Sequence, residues 1–391
     1  MWIIPHPTEP CRFLDSSKIT VMSKALPSYS YGEFFSGPGG MGLGATLGCN
    51  VQHLWAYDID ADAVRTYNRN LADEDTPVAQ VSDVKDVQVE KLDYVDIFAF
   101  GFPCNDFSVV GEQLGIAGDY GPLYSYGVKV LLTKKPMAFV AENVGGLTSA
   151  NDGETFRLIL EQMRNAGYVV VPHLYNAEDY GVAQSRKRII IVGIREDLEL
   201  TFEPPAPTTV IPKTVRDVLI ESPVPPDASN HELTKQSKLV QDRLSYIKPG
   251  ENAFTAEMPE ELRLKVAGAK ISQIYKRLDP NKPSYTVTGS GGGGTHVYHW
   301  KEDRALTNRE RARLQSFPDD FVFEGSKESV RKQIGMAVPP VLASAVFRSL
   351  VQTLNHIPYD SIKPNISIDG LRIAKRDQQR SFAFEELTSA K

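Results

Sequence analysis

The chain has 391 residues, 41% hydrophobic and 24% charged, enough for a full core and one large plus one smaller domain of a soluble globular protein. The formal net charge of −6 argues against a general polyanion binder, so any nucleic-acid surface must come from locally clustered Lys and Arg. Three cysteines (Cys11, Cys49 and Cys104) lack the spacing of a disulfide framework or a zinc site, and no apolar run reaches membrane-spanning length; the expectation is a cytoplasmic protein without metal or membrane partner.

Residues 1–29 show no periodicity, hold several prolines and are too short and Pro-interrupted at the start for a signal peptide, so they read as an irregular arm. From Tyr31 to Phe35 the pattern is that of a strand, followed by the glycine-rich turn and helix start Ser36 to Gly44. Gly37, Gly39 and Gly42 satisfy G-x-G-x-x-G, where missing side chains let backbone N–H groups approach a bound cofactor. A second strand, His53 to Tyr57, ends at Asp58-Ile59-Asp60, with Asp58 21 residues after Gly37, close to the spacing of a ribose-binding acid. A cap on the helix Ala61 to Leu71 is the alternative reading of Asp58, and both roles can coexist. Asp83 and Val84 could offer a carboxylate and an apolar contact to an adenine; an adenosyl group satisfies this geometry without a pyrophosphate.

The apolar run Val95 to Phe100 empties onto Gly101-Phe102-Pro103-Cys104-Asn105-Asp106-Phe107-Ser108. Pro103 fixes φ, so a thiol is presented at a strand's end, where open α/β sheets place their ligand crevice. A small buried hydrophobe is the alternative reading of Cys104. Val109 to Tyr126 is Gly-containing and reads as a lid. Next comes the strand Pro136 to Ala141, ending at the carboxylate of Glu142, then a helix over Thr155 to Asn165 and a strand over Tyr168 to Tyr175. Ser185-Arg186-Lys187-Arg188 precedes the strand Ile189 to Gly193, and alternation sets Arg186 and Arg188 on one face and Lys187 on the other. Two guanidinium groups on one face can bind phosphate or a base carbonyl; a solvated basic surface is the plainer reading.

From about residue 200 prolines cluster and periodicity fades, marking a domain boundary. The following region interleaves Lys and Arg with Tyr and runs through Thr286 to Gly294, which suits a phosphate-lined groove or, failing that, a linker. Arg304 to Phe321 reads as a basic helix with a Thr307–Glu310 capping box, and Val341 to Leu354 as an apolar helix. The tail beyond His356 carries no functional signal.

In content and order these segments closely resemble the DNA (cytosine-5) methyltransferase family of the bacterial restriction-modification type, over roughly residues 30–355. The carrying motifs are Phe35 to Gly39, Pro103 to Ser108, Glu142 to Val144, Gln184 with Arg186 and Arg188, Leu306 to Glu310, and Arg313 to Pro318. The resemblance implies a Rossmann-like α/β mixed sheet with helices on both faces and a smaller, irregular target-recognition domain. It divides the chain into an arm (1–29), a catalytic and cofactor-binding domain (30–205), a recognition domain (206–305), a hinge with a basic helix (306–332), a returning helix (333–357) and a tail (358–391).

The implied reaction carries a methyl group from S-adenosyl-L-methionine to C5 of a cytosine flipped out of a specific duplex DNA sequence, with the protein acting as a monomer beside a paired restriction endonuclease. C5 is too weakly nucleophilic to react unaided, so a thiolate first adds to C6. Cys104, Glu142, Arg186 and Arg188 are the implied catalytic residues. Phe35, Gly37, Gly39, Gly40, Asp58, Ile59, Asp83, Val84, Pro103 and Leu123 are expected at the cofactor, and Ser108, Gln184, Thr288, Gly289 and Arg309 at DNA. Two positions depart from the family pattern: Asn105-Asp106 replaces Gln and a small residue, and Met336 replaces an Asn. The same chemistry on tRNA, and a catalytically silent DNA-binding regulator, are the competing readings; a dehydrogenase would leave Pro103-Cys104 and the Arg pair unexplained.

Overall fold

The computed structural model describes residues 27–73, 75–103, 123–264, 273–289 and 293–367. Seven strands form one sheet: β1 Tyr29–Phe34, β2 Val51–Asp58, β3 Ala79–Val81, β4 Ile97–Phe100, β5 Ala138–Val144, β6 Tyr168–Asn176 and β7 Lys187–Arg195. Their order is β3-β2-β1-β4-β5-β7-β6, and β7 runs antiparallel to both its neighbours while β1 to β5 are parallel. The helices are α1 Gly40–Gly48, α2 Ala61–Leu71, α3 Leu123–Lys134, α4 Glu154–Asn165, α5 Val215–Leu219, α6 Lys238–Ser245, α7 Asn308–Leu314, α8 Lys327–Met336 and α9 Pro340–Leu354.

β4 and the inner stretches of β5 (Ala138 to Ala141) and β7 (Ile189 to Ile194) are apolar without interruption because both their faces are covered. On one face Tyr31, Ala99, Val140 and Val192 meet Leu342, Val346, Phe347 and Leu350 of α9; on the other Phe98, Phe100, Phe139 and Ile191 meet Leu131 of α3 and Phe156, Ile159 and Leu160 of α4. Each such side chain contributes roughly 1.5–3 kcal/mol by leaving water.

α1 and α9 pack backbone to backbone. A Cβ at Gly44 would stand 2.3 Å from the Ala343 Cβ, and one at Gly48 2.5 Å from the Ser344 oxygen. Gly44→Val is therefore expected to destabilise the fold by about 1–3 kcal/mol through forced separation of the helices. A chemical-denaturation midpoint unchanged from wild type would show that the helices tolerate a side chain there.

Three expectations change. Lys327–Leu354 is long and apolar enough by composition to cross a membrane, yet α8 and α9 divide at Ala337 to Pro339 and 78% of the apolar window is buried. Leu123 to Tyr126, read as the end of a lid, is the first turn of α3; residues 109–122 lie outside the described ones. The tail beyond His356 covers the open edge of β6: the Leu174 N–H donates to Asn365 Oδ1 at 2.8 Å, and Asn365 Nδ2 donates to the Leu174 oxygen at 2.9 Å. An unpaired edge invites association, and this segment blocks it.

Between residues 206 and 305 the described regular elements are α5, α6 and short 3-10 turns, around a small core of Leu244, Ile247, Ala253, Met258, Tyr275 and Tyr298. Arg277 replaces missing secondary structure there, donating to the oxygens of Leu244 and His299 and pairing with Asp303.

Candidate active site

At the carboxyl ends of β1 and β2 the chain makes the glycine turn. Phe35, Gly37 and Gly39 take positive φ of 54°, 51° and 95°, a conformation that costs a non-glycine residue such as Phe35 of order 1 kcal/mol and is characteristic of ligand sites. Asp58 fastens the turn: the Gly37 N–H donates to Oδ2 at 2.7 Å and the Asp60 N–H to Oδ1 at 2.9 Å. Asp58 does not cap α2; Asp60 does, accepting from the N–H groups of Asp62 and Ala63. Burial lifts the Asp58 pKa above the ordinary range, against the pull of those two amides.

The turn is open where a ligand would need it open. A Cβ on Gly37 would meet nothing within 4 Å, and the adjoining Ile59 is 71% exposed. Ser36 Oγ is buried without a hydrogen-bond partner among the described residues. Gly40 is held against α9, its Cβ position 2.5 Å from the Val338 oxygen. Val84 and Leu123 are buried, Pro103 is half-buried, and Asp83 Oδ1 accepts the Lys85 N–H at 3.0 Å to close a turn. An unengaged apolar side chain, a carboxylate and bare backbone suit an adenosyl group.

A carboxylate–guanidinium pair stands at the ends of β5 and β7. Their register sets Glu142 opposite Ile190 and Val144 opposite Arg188, so Glu142 and Arg188 share a face, and Arg188 Nε lies 2.9 Å from Glu142 Oε1. Both side chains are 12% exposed. Burial raises the Glu142 pKa, and the nearby Arg188 and Arg186 only partly offset it. Gly101 joins this pair to the glycine turn: its Cβ would stand 3.5 Å from Glu142 Oε2 and 3.9 Å from the Phe35 oxygen. Cys104 and Ser108 lie outside the described residues, which reach Pro103. The segment leading to Cys104 is fixed by Asn143, whose Nδ2 donates to the Phe102 oxygen at 2.9 Å.

Arg186, Gln184 and Arg309 have other places than expected. All three are buried, and each is engaged with protein groups rather than turned towards a ligand. Arg186 donates to the oxygens of Val287 (3.0 Å), Gly335 (2.8 Å) and Ala337 (3.1 Å). Gln184 donates to Gln315 Oε1 and accepts the Val287 N–H, both at 2.8 Å, and Gln315 in turn donates to the Ile334 oxygen. Arg309 donates to the oxygens of Ser229, Pro318 and Phe321. These groups bind irregular backbone that no ladder satisfies, which is why polar residues occupy a core. Arg311 of α7 is buried too, so that helix is not a basic outer face. Thr288 and Gly289 pack on α8, with the Gly289 Cβ position 2.9 Å from the Lys332 oxygen. Beside them Met336 is 65% exposed.

Comparison with known proteins decides what this arrangement belongs to. The profile of the C-5 cytosine-specific DNA methylases matches residues 29–352. The chain belongs to that family. It is 51% identical over 349 residues to the Type II methyltransferase M.BbvI of Brevibacillus brevis, covering 85% of this chain and 93% of the relative. It is 42% identical to the Type II methyltransferase M.NgoFVII of Neisseria gonorrhoeae, covering 79% and 82%. A prophage-encoded methyltransferase of Escherichia coli shares the fold, with a TM-score of 0.66 and 24% identity over 83% of this chain and 99% of that one.

As a cytosine-5 DNA methylase, the chain uses S-adenosyl-L-methionine, and the glycine turn with Asp58 and Ile59 fits it. Sequence reasoning missed three features of this methylase. Asn143 stood inside the quoted Glu-Asn-Val but had no role assigned. Gln315 stood inside Arg-Leu-Gln. Under the turn, Glu33 is wholly buried, Tyr31 and Tyr67 donate to its Oε2, and burial pushes its pKa up to about 8; an acid within an aromatic strand gave no signal of this.

Proposed function

We propose that this methylase transfers the methyl group of S-adenosyl-L-methionine to C5 of a flipped-out cytosine in a specific duplex DNA sequence, through a covalent bond from Cys104 to C6. The convergence at Gly101 carries the reading: the strand that leads to Cys104 passes between the glycine turn and the Glu142 carboxylate. Alignment with Type II methyltransferases over more than four-fifths of the chain favours DNA over tRNA, catalysis over silent binding, and a restriction-modification role with a paired endonuclease. We place the protein in the cytoplasm as a monomer on DNA, with residues 206–305 reading the target.

The cofactor, held by Phe35, Gly37, Asp58, Ile59, Asp83 and Val84, supplies an electrophilic methyl group. The rest is done by side chains. Cys104 adds as thiolate to C6, and Glu142, whose pKa burial raises, delivers a proton to N3 as the electron pair is displaced towards the ring. Arg188 holds Glu142 on one side and offers its remaining N–H groups to the cytosine O2. Once C5 carries the methyl group, a base or water takes its proton, the C–H electron pair re-forms the C5–C6 double bond, the sulfur leaves C6 as thiolate, and the N3 proton returns to Glu142.

Glu142→Gln keeps the shape but has no proton to give, so single-turnover methylation should slow by about 10²–10³-fold. Rapid-quench measurement of tritium transfer checks this, and an unchanged rate would remove Glu142 from the addition step.

A further inference from the structure

The motif Arg186-Lys187-Arg188 leaves one cation without a task. Arg186 is consumed in the core and Arg188 by Glu142, whereas Lys187 is exposed and forms no ion pair among the described residues. Cations at the far end of the sheet, beside β2 and β3, are by contrast paired: Arg65 with Asp62, Arg69 with Glu324, and Lys332 with Asp60 at 3.0 Å.

Its surroundings are equally bare. β5 and β7 are antiparallel with Val144 opposite Arg188, so the chain leaves β5 at Gly145 beside the point where Lys187 begins β7. A Cβ at Gly145 would stand 3.7 Å from the Lys187 Cβ, and one at Gly146 would meet nothing within 4 Å. An ammonium group on a long stem therefore projects from a ledge of backbone, one residue, about 3.3 Å along β7, from the arginine that holds Glu142 and from the opposite face of the strand. In a protein of net charge −6, attraction for a polyanion has to come from such uncommitted cations.

We propose that Lys187 contacts a backbone phosphate of the strand that carries the target cytosine, next to the flipped nucleotide. It is a point charge that draws the strand to the rim and positions it, and it takes no part in the chemistry. The proposal rests on DNA being the substrate.

The test measures duplex binding from about 50 to 200 mM salt for wild type, Lys187→Glu, Lys187→Gln and Lys187→Arg, with methyl transfer by the wild type measured alongside. Neutralising one phosphate contributes about 0.9 to the slope of log K against log salt. Lys187→Gln should bind several-fold more weakly with a slope lower by about 0.9, Lys187→Glu more weakly still, and Lys187→Arg should restore both. Wild-type slopes in the Glu and Gln variants, or weakened binding at an unchanged slope, overturn the role of Lys187 and leave the methyltransferase reading intact. Failure of the wild type to bind duplex and transfer methyl overturns both.

Discussion

Cys104→Ser is expected to lose methyl transfer by a factor on the order of 10⁴ or more, the scale on which removal of a covalent nucleophile acts. The reason is chemical: a hydroxyl is far less acidic than a thiol and a weaker nucleophile towards C6. Cys49 cannot substitute: it is buried at the C-cap of α1, donates to the Ala45 oxygen at 3.2 Å, and has its pKa pushed up to about 12 by burial; Cys11 lies outside the described residues. Cofactor and DNA binding should survive, since neither is assigned to the sulfur. Tritium transfer from labelled cofactor, with binding measured separately, checks both halves, and sustained turnover by the Ser variant would contradict the assignment.

Arg186→Met is expected to destabilise the protein by roughly 3–5 kcal/mol, a large part of the stability of an ordinary domain. The side chain would still fill its space, but the oxygens of Val287, Gly335 and Ala337 would lose their donors in a place water does not reach. A buried acceptor left unpaired costs about 1–3 kcal/mol. Lys should not rescue, because one ammonium cannot span three carbonyls on two separate segments as the planar fork does. Urea denaturation followed by circular dichroism checks this; a wild-type midpoint for Arg186→Met would mean that the carbonyls find other donors.

The contrast between Arg186 and Arg188 shows what the sequence could and could not tell. Strand alternation was legible and located both arginines, but the fate of a guanidinium depends on what lies across from it. For Arg188 that is Glu142, visible as a motif; for Arg186 it is the backbone at 287, 335 and 337, more than a hundred residues away and irregular. Gln184 and Arg309 misled for the same reason: cations and amides in a motif read as surface chemistry, whereas here they satisfy loops that lack a ladder. Asp58 was placed at its strand end by spacing, and only geometry separated it from Asp60 as helix cap. The parallel strands were plain because two-sided burial writes itself as unbroken apolar runs. The edge-covering role of Asn365 was invisible, since a single asparagine side chain imitates a strand there.

The most direct measurement incubates the protein and S-adenosyl-L-methionine with duplex DNA in which 5-fluorocytosine replaces cytosine at random, followed by denaturing electrophoresis and peptide mapping of anything joined to DNA. Fluorine at C5 cannot leave as a proton does, so the account predicts a cofactor-dependent adduct of one protein to one strand, mapping to Cys104. Methylation of ordinary duplex without any such adduct, or an adduct on another residue, would contradict it.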